Sequence, residues 1–139
     1  VLGVDLGGRR IIILSIGKSH FARVQPIMSL DSLDMTDGHR EQILGAVKLA
    51  KERCVVITHG TATMDQTARH LDGKTGDKTV VLTGALRPFA LGKSDAGFNT
   101  GGAMIAAQTL PAGVYAVMNG RVFVAGNVQK DLKTGRFDL

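Results

Sequence analysis

Aromatic residues, cysteine and long apolar runs are all scarce in this sequence, and each shortage excludes a class of protein. Aromatic residues make up 4% of the chain and tryptophan is absent, so a platform on which single-stranded nucleic acid stacks is poorly supported. Cys54 is the single cysteine, so an intramolecular disulfide is impossible. No apolar run approaches the length of a membrane-spanning helix, and we therefore expect a soluble protein.

The positive charge of the chain is spread out rather than concentrated. The formal net charge is +5 and the pI is near 9.7. The basic residues do not form the cluster or stripe that is typical of a nucleic-acid-binding protein. Attraction of small anionic or zwitterionic substrates is a simpler use of this charge. We therefore expect a small-molecule ligand, with neither nucleic acid nor a membrane as partner.

The length and the first residues bear on organisation and location. A chain of 139 residues predicts a single domain over residues 1–139, with no second domain. The start of the chain has no basic segment followed by a long apolar one, so no secretory signal is visible and a cytoplasmic location is expected. The four histidines lack metal-ligand spacing, and no metal site is predicted.

Strands and helices are predicted to alternate along most of the chain. Apolar runs predict strands at residues 11–14, 54–57, 79–83 and 114–118, and a weaker one at 1–4. Helices are predicted from a cap at Thr36 or Asp37 to near Arg53, and over residues 64–71 and 101–110. Asn119-Gly120 before residues 121–124 is typical of a hairpin. The fold class is therefore α/β, an open, mainly parallel sheet with helices on both faces and an antiparallel hairpin near the C-terminal end.

Hydroxyl groups are crowded in Thr58-His59-Gly60-Thr61-Ala62-Thr63-Met64, between a predicted strand and a predicted helix. In an open α/β sheet such a turn lies at the carboxyl end of its strand, where ligands bind, and the next helix points its amide donors at the cleft. Threonines in such a turn can equally be ordinary helix caps and turn formers. The segment is a candidate site that needs support from the rest of the sequence.

Four segments together resemble the bacterial L-asparaginase/glutaminase family. They are residues 56–64, residues 81–88 with Ser94, Asp95 and Asn99, residues 113–120 with Lys130, and residues 31–37. Their order and spacing match the family from about Ala22 to Phe137, and residues 31–37 are closest to the short-chain asparaginases that lack a second domain. The resemblance implies a flavodoxin-like α/β domain with its active site at the carboxyl ends of the strands.

The resemblance also implies an activity and a set of site residues. Family enzymes hydrolyse the side-chain amide of L-asparagine, and sometimes of L-glutamine, through a threonine nucleophile and an acyl-enzyme intermediate, without a metal or organic cofactor. By this match Thr61 is the second catalytic threonine, Lys130 activates it, and Ser32 holds the substrate α-carboxylate. The predicted substrate-binding set also contains Leu33, Gly60 and Ala62. A homo-oligomer is expected as well.

Several of these residues also have an ordinary structural explanation. Lys130 could be a solvated lysine in a polar segment. Ser32 could be a turn former beside Asp31. His59 is expected to hydrogen-bond locally and hold its turn rather than to bind a metal, and Arg87, before a proline, is expected to be structural.

Two positions depart from the pattern of the family. The family's turn reads Thr-His-Gly-Thr-Asp-Thr-Met, with an aspartate that grips the substrate α-ammonium, and Ala62 occupies that place. Losing one charge-assisted hydrogen bond predicts about 10- to 150-fold weaker substrate capture. The family also has Gly-Gly-Thr-Ile after its first strand, and that threonine is the usual attacking residue. Here Arg9 follows Gly7-Gly8, and the stretch from Gly8 to Ala22 is shorter than the family's mobile loop.

These departures leave two hypotheses open. In the first, the chain is an L-asparaginase-type amidohydrolase that acts through Thr61, Lys130 and Ser32 and is impaired by Ala62 and by the altered N-terminal segment. In the second, it is a non-catalytic relative that binds a small acidic or amide metabolite in the same cleft.

Overall fold

The structure, a computed structural model, describes residues 10–17, 22–86, 94–127, 129–130 and 137–138, the last two pairs by their backbone. In chain order the elements of these residues are β1 (Arg10–Ile16), β2 (Ala22–Ser29), α1 (Asp37–Leu49), β3 (Cys54–Thr58), α2 (Met64–Leu71), β4 (Thr79–Thr83), α3 (Ala96–Thr109), β5 (Gly113–Met118), β6 (Arg121–Val124), β7 (Gln129–Lys130) and β8 (Phe137–Asp138). Two short 3-10 helices are called the Ser32 turn (Ser32–Asp34) and the Thr61 turn (Thr61–Thr63).

Six of the described strands form one open sheet in the order β2-β1-β3-β4-β5-β6. The central strands β3, β4 and β5 are parallel, whereas β6 runs antiparallel to β5 and β1 runs antiparallel to both β2 and β3. Asn119 and Gly120 join β5 to β6 with φ of 55° and 76°, a conformation that these two residue types adopt at low cost. The predicted α/β fold and the hairpin at Asn119-Gly120 are confirmed.

Alternate residues of the strands build two apolar cores on opposite faces of the sheet. Helices α1 and α2 cover the face that carries Ile13, Ile57 and Leu82, whereas α3 covers the face that carries Val56 and Val81. The predicted helices on both faces are confirmed. Because the central strands are covered on both sides, their side chains are apolar with little interruption until each strand ends.

The helices follow their predicted positions with shifts at the ends. Thr36 caps α1, because its hydroxyl accepts from the His39 amide while its own amide donates to His39 Nδ1 at 2.9 Å. α1 ends at Leu49 instead of near Arg53, since the backbone is already extended at Ala50. α2 has the predicted bounds, and α3 begins at Ala96, before the predicted start at residue 101.

Strand β2 and its antiparallel pairing with β1 were not predicted. Most residues of β2 are exposed or half-buried, so the sequence lacks the apolar run of a central strand. Pro26 lies in it opposite Ile12, beside an irregularity in the pairing. An edge strand accepts proline because one of its sides needs no backbone donor. The predicted strand at residues 1–4, and Gly7, Gly8, Arg9 and Arg87, lie outside the described residues.

Glycine at position 84 is required by a close approach of two strand ends. Gly84 follows β4 directly, and a Cβ atom there would overlap the carbonyl oxygen of His59, which follows β3. The Cβ position is fixed by the backbone and the oxygen belongs to the backbone, so neither atom can move aside by rotating a side chain.

We predict that Gly84→Ala lowers the free energy of unfolding by about 1–3 kcal/mol or more, because the ends of β3 and β4 must separate. Gly45→Ala is the matched control. It lies within α1 with no atom near its added methyl group, and there the change should raise stability by up to about 1 kcal/mol. Urea unfolding of the two variants checks this, and a Gly84→Ala variant as stable as the parent would contradict it.

Candidate functional site

The threonine-rich segment leaves the sheet between two neighbouring strands. Thr58 ends β3, and its hydroxyl accepts a hydrogen bond from the Ile12 amide of β1 at 3.1 Å. The His59 amide donates to the Thr83 carbonyl at the end of β4, at 2.9 Å. The Thr61 turn then leads straight into α2. Thr61 and Ala62 are half-buried at the carboxyl end of β3, where the sequence placed the candidate site.

The Ser32 turn and the Thr61 turn pack directly against each other. The Thr63 hydroxyl donates to the Ser32 carbonyl at 2.8 Å. A Cβ atom at position 60 would lie 2.8 Å from Ser32 Oγ, so glycine is needed there for space and not for a special φ. Ser32 itself is 3% exposed. Fold topology thus brings Ser32 and the Gly60–Thr61 segment together although they are far apart in sequence.

Leu33 and Lys130 relate to this site differently. The Leu33 side chain is 73% exposed, on the outer surface of the Ser32 turn, and its amide donates to the Asp31 carboxylate at 3.0 Å. Lys130 belongs to β7, whose Cα atoms come within 8 Å of those of the Thr61 turn. The Lys130 side chain lies outside the described residues, and its pairing with Thr61 stays a prediction.

His59 holds the turn from inside, in agreement with the expectation of a local hydrogen-bonding role. It is 1% exposed. Its Nδ1 lies 2.6 Å from the Gly60 carbonyl oxygen and its Nε2 lies 2.7 Å from the Thr67 hydroxyl. The carbonyl can only accept, so Nδ1 carries the proton, and in the neutral ring Nε2 then accepts from Thr67.

Sequence reasoning missed two polar residues behind this turn. The Thr67 hydroxyl accepts from Arg40 Nε at 3.0 Å, and Arg40 is almost completely buried. One sequence signal could have found Arg40. It takes the first place in the buried row Arg40, Ile43, Leu44, Val47 of α1, at the i, i+3, i+4, i+7 spacing of an apolar stripe, where a charged residue needs a partner.

Asn99 joins the ends of β4 and β5 at the same edge of the sheet. It is fully buried, and its side-chain amide donates to the Gly84 carbonyl at 2.9 Å and to the Asp95 carboxylate at 3.0 Å. Its side-chain oxygen accepts from the Asn119 amide at 2.9 Å. These bonds fix the end of β4, the neighbour of β3 in the sheet, to the end of β5.

No metal ligand set is present in the part of the chain that the structure describes. There, no three His, Cys, Asp or Glu side chains lie close enough together to hold an ion. None of the helices among those residues is long and apolar enough to cross a membrane.

The environment of His59 keeps its ring neutral. Burial is the largest cause that lowers its pKa, to about 4, and the nearby Arg40 charge acts in the same direction. The hydrogen bond to the Gly60 carbonyl and the charge of Asp65 act in the opposite direction, with smaller effect. The imidazole therefore stays uncharged throughout the neutral range.

This neutral ring makes stability depend on pH. Because the folded-state pKa lies below the ordinary value of 6.5, the unfolded chain takes up a proton first as the pH falls. Stability is therefore full above about pH 6.5 and lost towards pH 4, with about 2 kcal/mol lost between pH 7 and pH 5. Urea unfolding at those two pH values checks this prediction. His59→Gln should remove most of the difference in stability between the two pH values. The pKa of Glu52 is lowered to about 2 by its hydrogen bond with Arg23, so that carboxylate changes stability only at more acid pH.

Comparisons with known proteins find one family and several relatives. The family model described as asparaginase, N-terminal, matches residues 10–138. The chain is 35% identical over 119 residues to the probable periplasmic L-asparaginase of Haemophilus influenzae, which covers 79% of this chain and 33% of that protein. It is 37% identical over 95 residues to the glutaminase-asparaginase of Acinetobacter glutaminasificans, covering 66% of this chain and 29% of that protein. It is 42% identical over 79 residues to L-asparaginase 2 of Escherichia coli, covering 54% and 23% respectively.

The chain spans a third or less of the length of these curated relatives. The Haemophilus relative is named periplasmic, and the cytoplasmic location expected for this protein stays a prediction. The resemblance seen in the sequence is confirmed. Since the family model covers almost all of the chain, and the threonine-rich turn lies at the carboxyl end of β3, this chain belongs to the asparaginase family, in the region of its N-terminal domain.

Proposed function

We propose that this chain carries the site of an L-asparaginase-type amidohydrolase, which converts L-asparagine, and L-glutamine as a second substrate, to the acid and ammonia. The observation that carries the proposal is the direct packing of the Ser32 turn against the Thr61 turn, through the bond from Thr63 to the Ser32 carbonyl. The two segments that the family match assigns to the substrate carboxylate and to the reacting amide thus share one edge of the sheet. Membership of the asparaginase family supports the same activity.

Thr61 is the proposed nucleophile and Lys130 its base. A threonine hydroxyl reacts at neutral pH only if a neighbouring base takes its proton, and a neutral lysine amine can do so. The Thr61 oxygen would attack the amide carbon, and the proton would pass through Lys130 to the departing ammonia. Water would then attack the resulting ester, release L-aspartate and restore the hydroxyl.

Ser32 and the amide groups of the Thr61 turn are the proposed partners of the substrate carboxylate. The turn leads into the first turn of α2, where amide donors and the positive end of the helix dipole favour an anion. The hydroxyl of Ser32 is nearly covered by Gly60, so direct contact with a carboxylate requires the two turns to move slightly apart. Leu33, on the outer surface of the Ser32 turn, can contribute an apolar contact to the substrate but no charge.

Ala62 explains why we propose reduced activity. The family's aspartate at this place binds the substrate α-ammonium, and an alanine methyl group offers neither charge nor a hydrogen-bond acceptor. A homo-oligomer is also part of the proposal, supported by the exposed Phe98 and Ile105 on α3, and its size can be measured by sedimentation.

We predict that Ala62→Asp raises ammonia release from L-asparagine by at least about tenfold, equivalent to about 1.4 kcal/mol, because it restores the ammonium anchor. Ala62→Asn is the matched control, since it has the same shape and a hydrogen-bond acceptor but no charge, and it should raise the rate much less than Ala62→Asp does. Adding Thr61→Val to Ala62→Asp removes the proposed nucleophile and should return the rate to background.

If neither the parent nor Ala62→Asp releases ammonia while both stay folded, the proposed activity is wrong for this chain. Activity that survives Thr61→Val would reject Thr61 as nucleophile and keep the reaction.

We also predict that L-aspartate binds in the millimolar range, through hydroxyl and amide groups. Titration followed by amide NMR should shift the signals of Gly60, Thr61 and Ala62, and chelators should change nothing, because the proposed contacts involve no metal. Thr61→Val should weaken binding. An absence of any shift at aspartate concentrations on the order of tens of millimolar would contradict the proposed ligand class.

A further inference from the structure

Arg40 is a buried cation that lies behind the candidate site and has no part in the proposed reaction. It is 4% exposed, although a charged side chain is rarely placed so deep without a specific partner. The structure supplies partners on two sides of the guanidinium group. One set leads to the Thr61 turn and the other to the Ser32 turn.

The first set runs through Thr67 and His59. Arg40 Nε donates to the Thr67 hydroxyl at 3.0 Å, and that hydroxyl lies 2.7 Å from His59 Nε2. His59 Nδ1 in turn donates to the Gly60 carbonyl at 2.6 Å. The directions follow from the Gly60 carbonyl, which can only accept, so that His59 Nδ1 carries the proton and the neutral Nε2 accepts from the Thr67 hydroxyl. That hydroxyl in turn accepts from Arg40, and the series ends on the residue directly before Thr61.

The second set reaches the other turn directly. Arg40 Nη1 lies 3.5 Å from the carbonyl oxygen of Met35, the residue directly after the Ser32 turn. The same nitrogen lies 3.4 Å from the carboxylate of Asp37, which is exposed, and Nη2 lies 3.5 Å from Gln66. The guanidinium thus reaches the Ser32 turn through the Met35 carbonyl and the Thr61 turn through Thr67 and His59. Its planar group holds several donors in fixed directions, which a lysine ammonium does not.

We infer that Arg40 is a positioning residue, which holds the Ser32 turn and the Thr61 turn in register through the Met35 carbonyl and through Thr67 and His59. The hydrogen bonds of Arg40, Thr67 and His59 end on two backbone carbonyls, those of Met35 and Gly60. They transfer no proton in the proposed reaction. The inference rests on the proposed function only for the identity of the ligand that the two turns bind.

A purely structural role is the competing explanation. Under it, loss of any member lowers stability but leaves the geometry of the two turns unchanged. A positioning role predicts a change at Gly60 and Ser32 that exceeds the change caused by an equally buried hydrogen bond elsewhere. Measurements at the turns themselves therefore separate the two explanations.

The test uses Thr67→Val, which keeps the shape of the side chain and removes the hydroxyl, and Thr67→Ser, which returns the hydroxyl. Thr100→Val is the matched control, since Thr100 is a buried threonine on α3 whose hydroxyl donates to the Ala96 carbonyl at 2.7 Å. Arg40→Lys tests the fork, with Arg23→Lys at an exposed ion pair as its control. Three quantities are measured in the full chain: stability in urea, the backbone amide signals of the two turns, and the ring nitrogen signals of His59.

We predict that Thr67→Val and Arg40→Lys shift the amide signals of Gly60, Thr61 and Ser32, and that Thr67→Val also shifts the His59 Nε2 signal. Thr67→Ser should return these signals towards their parent positions, and Thr100→Val should leave them unchanged despite its loss of stability. Affinity for L-aspartate should fall by about fivefold or more in Thr67→Val, and recover to within about twofold in Thr67→Ser.

The inference would be overturned if Thr67→Val were folded and less stable but left the amide signals of the two turns unchanged. It would also be overturned if Thr100→Val shifted those amide signals by the same amount. If the parent chain binds no aspartate, the proposed function fails, yet the signals of Gly60, Ser32 and His59 still decide the positioning role. If Arg40→Lys does not fold, the comparison of Thr67→Val with Thr67→Ser decides the positioning role by itself.

Discussion

The end of β3 is the constraint on which the candidate site depends. There the Thr58 hydroxyl accepts a hydrogen bond from β1 and the His59 amide donates to β4, so the chain is held from both sides as it leaves the sheet. Gly84 allows this approach because it has no side chain to push the His59 carbonyl away. The direction in which Gly60 and Thr61 leave the sheet is therefore set by the Thr58 hydroxyl and the His59 amide.

Behind this strand end the interior changes from apolar to polar. The two cores on the faces of the sheet consist of apolar side chains. His59, Thr67, Asn99 and Arg40, by contrast, are buried at the carboxyl end of the strands and are hydrogen-bonded. Such groups add little net stability, since each must give up water before it binds its partner. Their directional bonds instead select one arrangement of the turns, which dispersion contacts between aliphatic groups could not do.

Most of the fold was predictable because the features that determine its strands and helices lie within short stretches of sequence. Apolar runs located β3, β4 and β5, a threonine cap located α1, and Asn119-Gly120 located the hairpin. Strand β2 was not predicted because half-exposed edge strands lack a continuous apolar run. A turn rich in hydroxyl groups was predictable as a candidate site, and the family resemblance added Ser32 and Lys130 to it as expectations. The bond between Arg40 and Thr67 joins residues 27 positions apart, and no local pattern encodes which buried polar groups will meet.

Position 62 shows how the scaffold can persist while a chemical group changes. The bonds that hold the Thr61 turn come from the side chains of Thr58, His59 and Thr63 and from backbone groups, and an alanine methyl group can supply none of them. An aspartate at position 62 would lie three residues before Asp65, and two carboxylates at that spacing repel each other. The positive end of the α2 dipole acts in the opposite direction and is at least as large, about 0.3–1 kcal/mol against about 0.2–0.5 kcal/mol for the repulsion. The fold therefore accepts either residue at position 62 at similar cost, and a cationic ligand group in the cleft is the physical reason for a carboxylate at this place.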